Sequence, residues 1–187
     1  VMVYDIQDNG CRSYTYISTM GMLMEACIEH GKELIVLDRP NPLGGEKIEG
    51  CLVEDGYISF VSQFKIPYLY GQTPGELALY LNATDYENKC KLTVVEMKGW
   101  ERDMTWDETG LEWIVASPHV PHGQSAVFYP VTGIFGEFGY ISIGVGYTLP
   151  FEVMGAPWIS ADTLAEAMNA LELPGLEFRP IYYKPYY

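Results

Sequence analysis

An α/β fold built on a parallel sheet is what this sequence predicts, and three observations predict it. Two short apolar runs, VMVYDI (residues 1–6) and ELIVLD (33–38), each contain or end in an aspartate. Between them Met20, Leu23, Met24, Cys27 and Ile28 recur at helical spacing over Thr19 to His30. Strand, helix and strand in such short compass make a βαβ unit, whose two strands run parallel.

Each further element has its own signal. Gly31 stands where the first helix must stop, because glycine takes the left-handed conformation of a C-terminal cap without steric cost. The methionine stripe reads as helix packing against the sheet rather than as a metal box. TPGELALYLNA (73–83) opens a second helix, with Thr73 as N-cap, Pro74 at the first position and Glu76 at the third, a capping box. LTVVEM (92–97) is a third strand. GWERDMTWDETGLEW (99–113) is a Trp-rich loop, and ASPHVPHGQ (116–124) is a proline-punctuated turn that marks the domain boundary. The expected division is therefore 1–118 and 119–187. Beyond it SAVFYPVTGIFGE suits helix or strand alike, and GYISIGVGYTLPFE is glycine-rich. A helix is expected from Asp162 to Glu172. FRPIYYKPYY (178–187) is read as an edge strand, since Pro180 and Pro185 have no N–H to donate.

Composition narrows the function. With 187 residues, 48% hydrophobic and 19% charged, the chain can build one large domain or two small ones. No apolar run approaches the ~20 residues that span a bilayer, so no membrane insertion is expected. The start shows no basic segment and no cleavage site of a signal peptide. It lies inside a strand, which reads as a fragment or a processed product. Twenty-five acidic residues against 11 basic ones give a net charge of −14, which argues against a nucleic-acid partner and an anionic membrane. Cys11, Cys27, Cys51 and Cys90 form no CxxC pair, so neither a zinc site nor a disulfide framework is expected.

Candidate chemistry gathers at the strand ends, where ligands bind in open parallel sheets. Asp5, Gln7 and Asp8 follow the first strand; Asp38, Arg39 and Asn41 follow the second. Asp5, Asp8 and Asp38 are the acid/base candidates, since a cleft tunes carboxyl groups for proton transfer. The plain alternatives are ion pairs with Arg12 and Arg39, and an Asx-turn at Asp8-Asn9-Gly10. Tyr14 and Tyr16 alternate along an extended segment, which would line a groove with rings suited to a sugar or simply pack. His119 and His122 lack a third metal ligand, so a structural or substrate-contact role is preferred to zinc, and no cofactor is expected. The 139–147 glycines match neither dinucleotide nor P-loop patterns.

DIQDNGCRSYTYISTM, VLDRPNPLGG, IPYLYGQTPGELA, MKGWERDMTWDETGLEW, SPHVP and TLPFEVMGAPW occur in this order. Together they resemble the NamZ-like exo-β-N-acetylmuramidase family of bacterial peptidoglycan-recycling glycosidases. The resemblance implies a Rossmann-like parallel sheet with flanking helices, followed by a smaller α/β domain. It implies release of N-acetylmuramic acid from the non-reducing end of peptidoglycan fragments, in the periplasm or outside the cell. Asp5, Gln7, Asp8, Arg12, Tyr14 and Tyr16 would line the pocket from the first strand, and Asp38, Arg39 and Asn41 from the second. Ser117 and Glu137 would contribute from the domain junction. Three departures stand out. The family's Glu-His-Gly motif, whose Glu is the favoured acid, would lie before residue 1. Ile143 and Val145 replace the Glu and Arg of a Ser-Glu-Gly-Arg-Gly-Thr element. Tyr70 stands for a common His, and His119 for a common Asn.

Overall fold

The structure, a computed structural model, describes residues 1–186. Its contacts divide the chain into two units, Val1–Val127 and Phe128–Tyr187. The first unit holds the sheet. Strands β1 (Met2–Tyr4), β2 (Glu33–Leu37) and β3 (Lys91–Val95) run parallel in the order β1-β2-β3, with Met2 opposite Leu34 and Leu34 opposite Leu92. Helix α1 (Tyr16–Glu29) joins β1 to β2, and a long loop followed by α2 (Pro74–Thr84) joins β2 to β3. The fold is therefore α/β around a parallel sheet.

Strand alternation places Tyr4, Leu34 and Val36 on the packed face, while Val3 and Val95 of the opposite pleat are exposed. Onto the packed face α1 brings Ile17, Met20, Met24 and Cys27, and α2 brings Leu77, Ala78 and Leu81. Phe64, Ile66 and Tyr70 of the loop complete the core. Burial of one such large side chain contributes roughly 2 kcal/mol, several times the propensity difference between ordinary helix residues. The apolar stripe, not propensity, therefore holds α1 on the sheet.

Both predicted caps form. Gly31, at φ +59°, donates to the Ile28 carbonyl at 3.3 Å, and Lys32 N–H reaches the Cys27 carbonyl at 2.8 Å, the paired bonds of a Schellman ending. At α2, Glu76 N–H donates to Thr73 Oγ1 at 3.2 Å and Thr73 N–H donates to Glu76 Oε2 at 3.0 Å. Thr73 Oγ1 also donates to Asp38 Oδ2 at 2.8 Å. Thr73→Ala is expected to lower unfolding free energy by about 1–2 kcal/mol, read from the urea midpoint. An unchanged midpoint would show that the box adds nothing.

Several elements differ from expectation. Strand β1 ends at Tyr4, so Asp5 to Cys11 form a loop. Helix α1 starts at Tyr16 rather than Thr19, so Tyr14 and Tyr16 do not alternate along an extended segment. The Trp-rich loop carries one 3₁₀ turn, Asp107–Thr109. The ambiguous apolar segment resolves as α3 (Gly123–Gly136), with Pro130 inside it. The last predicted helix is α4 (Ala161–Asn169).

FRPIYYKPYY is not a strand over residues 178–186, and Tyr187 lies outside the described residues. The Asn169 side chain brackets it instead: Nδ2 donates to the Phe178 carbonyl at 2.7 Å, and Phe178 N–H donates to Oδ1 at 2.8 Å. Pro180 and Pro185 remove two ladder donors from a run of nine described residues, too many for a strand to propagate. Among its described residues the second unit has no strand, only a bridge between Ser142 and Gly155. The expected smaller α/β domain is thus helices and loops within this chain.

The four cysteines are free, three of them buried and Cys51 exposed. Among the described residues no helix is long and apolar enough to cross a membrane.

Candidate functional site at the strand ends

The loops leaving β1 and β2 meet. Arg39 donates to Asp5 Oδ1 through Nε at 2.8 Å and Nη2 at 2.6 Å, and both side chains are substantially exposed. Gln7 Nε2 donates to the Pro40 carbonyl at 2.8 Å and to the Asp8 carbonyl at 2.7 Å. Gly10, at φ +79°, packs on Asn41 so closely that a Cβ would sit 2.2 Å from its Oδ1. Asn41 is itself fixed, donating to the Gln72 carbonyl at 3.0 Å and accepting from Leu43 N–H at 3.0 Å.

The three carboxylates have separate environments. Asp5 is exposed and paired with Arg39. Asp8 is buried: its Oδ2 accepts from Gly10 N–H at 2.7 Å and from the Tyr70 hydroxyl in a short hydrogen bond, and among the described residues none donates to its Oδ1 within hydrogen-bond geometry. Burial pushes Asp8 up to about 7, against the pull of hydrogen bonds from Tyr70, Gly10 and Asn9. The Asx-turn and the buried acid are thus the same residue. Asp38 sits at the start of α2, accepting from Gly75 N–H at 2.7 Å, Arg39 N–H at 3.0 Å and Thr73 Oγ1. Burial raises its pKa, and those three bonds oppose the rise. A Cβ on Gly75 would lie 2.7 Å from Asp38 Cγ, so glycine is what lets the helix N-terminus approach the carboxylate.

Arg12 pairs with no carboxylate among the described residues. Its Nη1 donates to the Cys51 and Ile66 carbonyls at 2.7 and 2.5 Å, and its guanidinium lies 5.9 Å from the Tyr68 ring centroid. The predicted alternative of a structural pair with Asp5 or Asp8 is not formed; Arg12 is a clamp between loops. The Tyr14 and Tyr16 rings lie 4.6 Å apart at 58°, and Tyr16 donates to the Ala116 carbonyl at 2.6 Å. Burial, then the neighbouring Tyr16 hydroxyl, raise the Tyr14 pKa, while Ser117 hydrogen-bonds to it. Ser117 therefore neighbours Tyr14, and Ala116 beside it anchors Tyr16.

His119 is exposed, and its N–H donates to Ser117 Oγ at 3.3 Å. His122 Nδ1 faces Ser125 at the start of α3, 3.3 Å from its N–H and 3.2 Å from its Oγ. Among the described residues no group of three or more His, Cys, Asp or Glu is placed to hold a metal ion. Glu137 belongs to the second unit, where it lines a cavity of about 660 Å³ with Tyr140, Ser142, Ile143 and Tyr182.

Sequence reasoning missed Tyr70, Thr73 and Gly75 as partners of the strand-end acids. A signal existed for two of them: a helix N-terminus marked by Thr73-Pro74-Gly75 attracts a carboxylate from a strand end. It also missed Arg102, which donates to the Gly45 and Gly71 carbonyls at 3.1 and 2.9 Å and pairs with Glu76.

The protein is thus of the open parallel α/β class, with acidic and amide groups gathered at its strand ends, the edge where sheets of that class bind ligands. Residues 1–124 match the family profile described as the N-terminal part of the exo-beta-N-acetylmuramidase NamZ, and residues 127–187 match its C-terminal part. The chain belongs to the NamZ family. It is 46% identical over 185 residues to the peptidoglycan beta-N-acetylmuramidase NamZ of Bacillus subtilis (strain 168), covering 99% of this chain and 44% of that protein. It also resembles two crystal structures of DUF1343 family proteins from Bacteroides fragilis. One is 64% identical with a TM-score of 0.92, covering 99% of this chain and 48% of the other. The second is 35% identical with a TM-score of 0.74, covering 84% and 44%. The chain thus spans about half the length of these relatives.

Proposed function

We propose that the protein to which this chain belongs is a glycoside hydrolase that releases N-acetylmuramic acid from the non-reducing end of peptidoglycan fragments, outside the cytoplasm. The observation that carries this reading is the 46% identity to a muramidase along 99% of the chain. The strand-end geometry supports it, as part of a Rossmann-like sheet whose polar edge receives the sugar. Asp5 is the carboxylate that a saccharide reaches directly, and Arg39 holds it in place. Asp38 orients Arg39 through its backbone N–H and ties that loop to α2. The paired rings of Tyr14 and Tyr16, with Ser117 beside Tyr14, are the aromatic groups this reading assigns to the sugar. Glycosidases need a proton donor and a second carboxyl group across the scissile bond, and Asp5, exposed and held by Arg39, is assigned the second place.

One observation favours a second reading, a saccharide-binding relative without turnover or with altered specificity. Ile143 stands where the resemblance places a Glu, and it packs tightly on Gly136 of α3, where a Cβ would lie 2.6 Å from its Cδ1. Val145 stands where it places an Arg, a side chain that would hold the lactyl carboxylate of muramic acid bidentately. The test is release of the chromophore from a chromogenic β-N-acetylmuramide by the full-length natural protein. Turnover is expected, with Asp5→Asn lowering kcat by about a hundredfold. Saturable saccharide binding with no turnover would sink the hydrolase reading and support the second.

A further inference from the structure

We propose that Asp8 and Tyr70 form a proton-held latch: with the Asp8 carboxyl neutral, loop 7–12 stays closed on segment 66–70, and ionisation of Asp8 opens it. The inference goes beyond the glycosidase reading and does not depend on it.

Closure rests on long-range bonds between the two segments. Tyr70 donates to Asp8, Arg12 N–H donates to the Tyr68 carbonyl at 2.8 Å, and Arg12 Nη1 donates to the Ile66 carbonyl. Asp8 is only 2% exposed, and no lysine, arginine or histidine among the described residues forms an ion pair with it. The titratable groups around it are Tyr4 of β1, Cys11 and Tyr14 of its own segment, and Tyr70 across the interface. All four are neutral when protonated, and ionisation of any would only add negative charge. Arg12, the nearest cation in sequence, spends its Nη1 on two carbonyls. Among the described residues Asp8 Oδ1 and Gln7 Oε1 are two buried acceptors without donors, and a proton on Asp8 Oδ1 converts one of them into a donor. Remove that proton and a charge stands buried with no counter-charge paired to it among the described residues, which opening to solvent relieves.

The sign of the pH dependence follows. Closed, Asp8 titrates near 7; with the loop open it returns to the ordinary aspartate value near ~4. Between these values the open form binds fewer protons, so the open fraction grows by up to about tenfold per pH unit. Growth stops above about 7, where both forms are ionised.

The test is hydrogen exchange of the Gly10, Cys11 and Arg12 amides in the full-length natural protein, corrected for the intrinsic pH dependence of exchange. Protection is expected to fall as pH rises from about 4 to about 7 and then level off, and Asp8→Asn is expected to flatten the profile. Tyr70→Phe, which removes the bridging hydroxyl, is expected to lower protection at every pH. A flat profile in the natural chain, or an equal slope in Asp8→Asn, would overturn the latch. Should Asp8→Asn fail to fold, a carbon-13 titration of the Asp8 carboxyl in the natural chain decides. A midpoint near 7 supports the latch, and one near the ordinary aspartate value overturns it.

Discussion

Arg12→Ala is expected to lower the unfolding free energy by about 3 kcal/mol, more than any single cap in the molecule. The guanidinium is almost fully buried and joins three pieces of chain: its own loop, the Cys51 carbonyl and the Ile66 carbonyl. Hydrogen bonds from a charged donor contribute roughly 1.5–3 kcal/mol each, and truncation leaves both carbonyls short of a partner. The guanidinium also lies 5.9 Å from the Tyr68 ring centroid, a cation–π contact that alanine removes. One effect opposes the loss: removing a buried cation recovers its desolvation cost. Two carbonyls and the lost ring contact outweigh that recovery. Arg12→Lys is expected to regain about half of the loss, because an ammonium keeps the charge without the planar fork. Urea denaturation of the three proteins at one pH makes the measurement. A midpoint for Arg12→Ala equal to that of the natural chain would show that the clamp is dispensable.

Gly10→Ala is expected to cost about 3–4 kcal/mol, through two contributions that a control separates. The left-handed backbone at φ +79° costs an alanine roughly 1–2 kcal/mol. The added Cβ also meets Asn41 Oδ1 at 2.2 Å and Cγ at 2.9 Å, so the buried Asn41 must leave its bonds to Gln72 and Leu43. Each bond is worth about 1 kcal/mol, with a further penalty for buried groups left unpaired. Gly31→Ala is the control: φ is +59°, yet nothing lies within 4 Å of its Cβ. That variant is expected to lose only the backbone contribution, about 1–2 kcal/mol. Equal losses at the two glycines, measured by thermal or urea denaturation, would rule out the close approach of the β1 and β2 loops at Asn41.

Much of the scaffold was legible because its causes are local. The Thr73–Glu76 box is a three-residue relation, the Met20–Met24–Cys27 stripe follows the helical period, and Gly31 marks its own left-handed turn. The placement of Asp5, Asp8 and Asp38 after their strands followed from the same periodicities. Their roles did not. Asp5 and Asp8 lie three residues apart, yet one is exposed beside Arg39 while the other is sealed under Tyr70. No spacing rule distinguishes them, because burial depends on what the loop 62 residues away covers. FRPIYYKPYY failed over residues 178–186 for another reason: Pro180 and Pro185 take away ladder donors, and the Asn169 side chain takes up the Phe178 backbone instead.

The amino-acid order alone determined the parallel βαβ frame, both helix caps, the packed stripe and the resemblance to muramidases, since each depends on neighbours within a few residues or on motif identity. Tertiary structure decided which acid is buried, which arginine faces solvent and which clamps carbonyls. Solvation and hydrogen-bond partners set those properties, and both are supplied by segments distant along the chain.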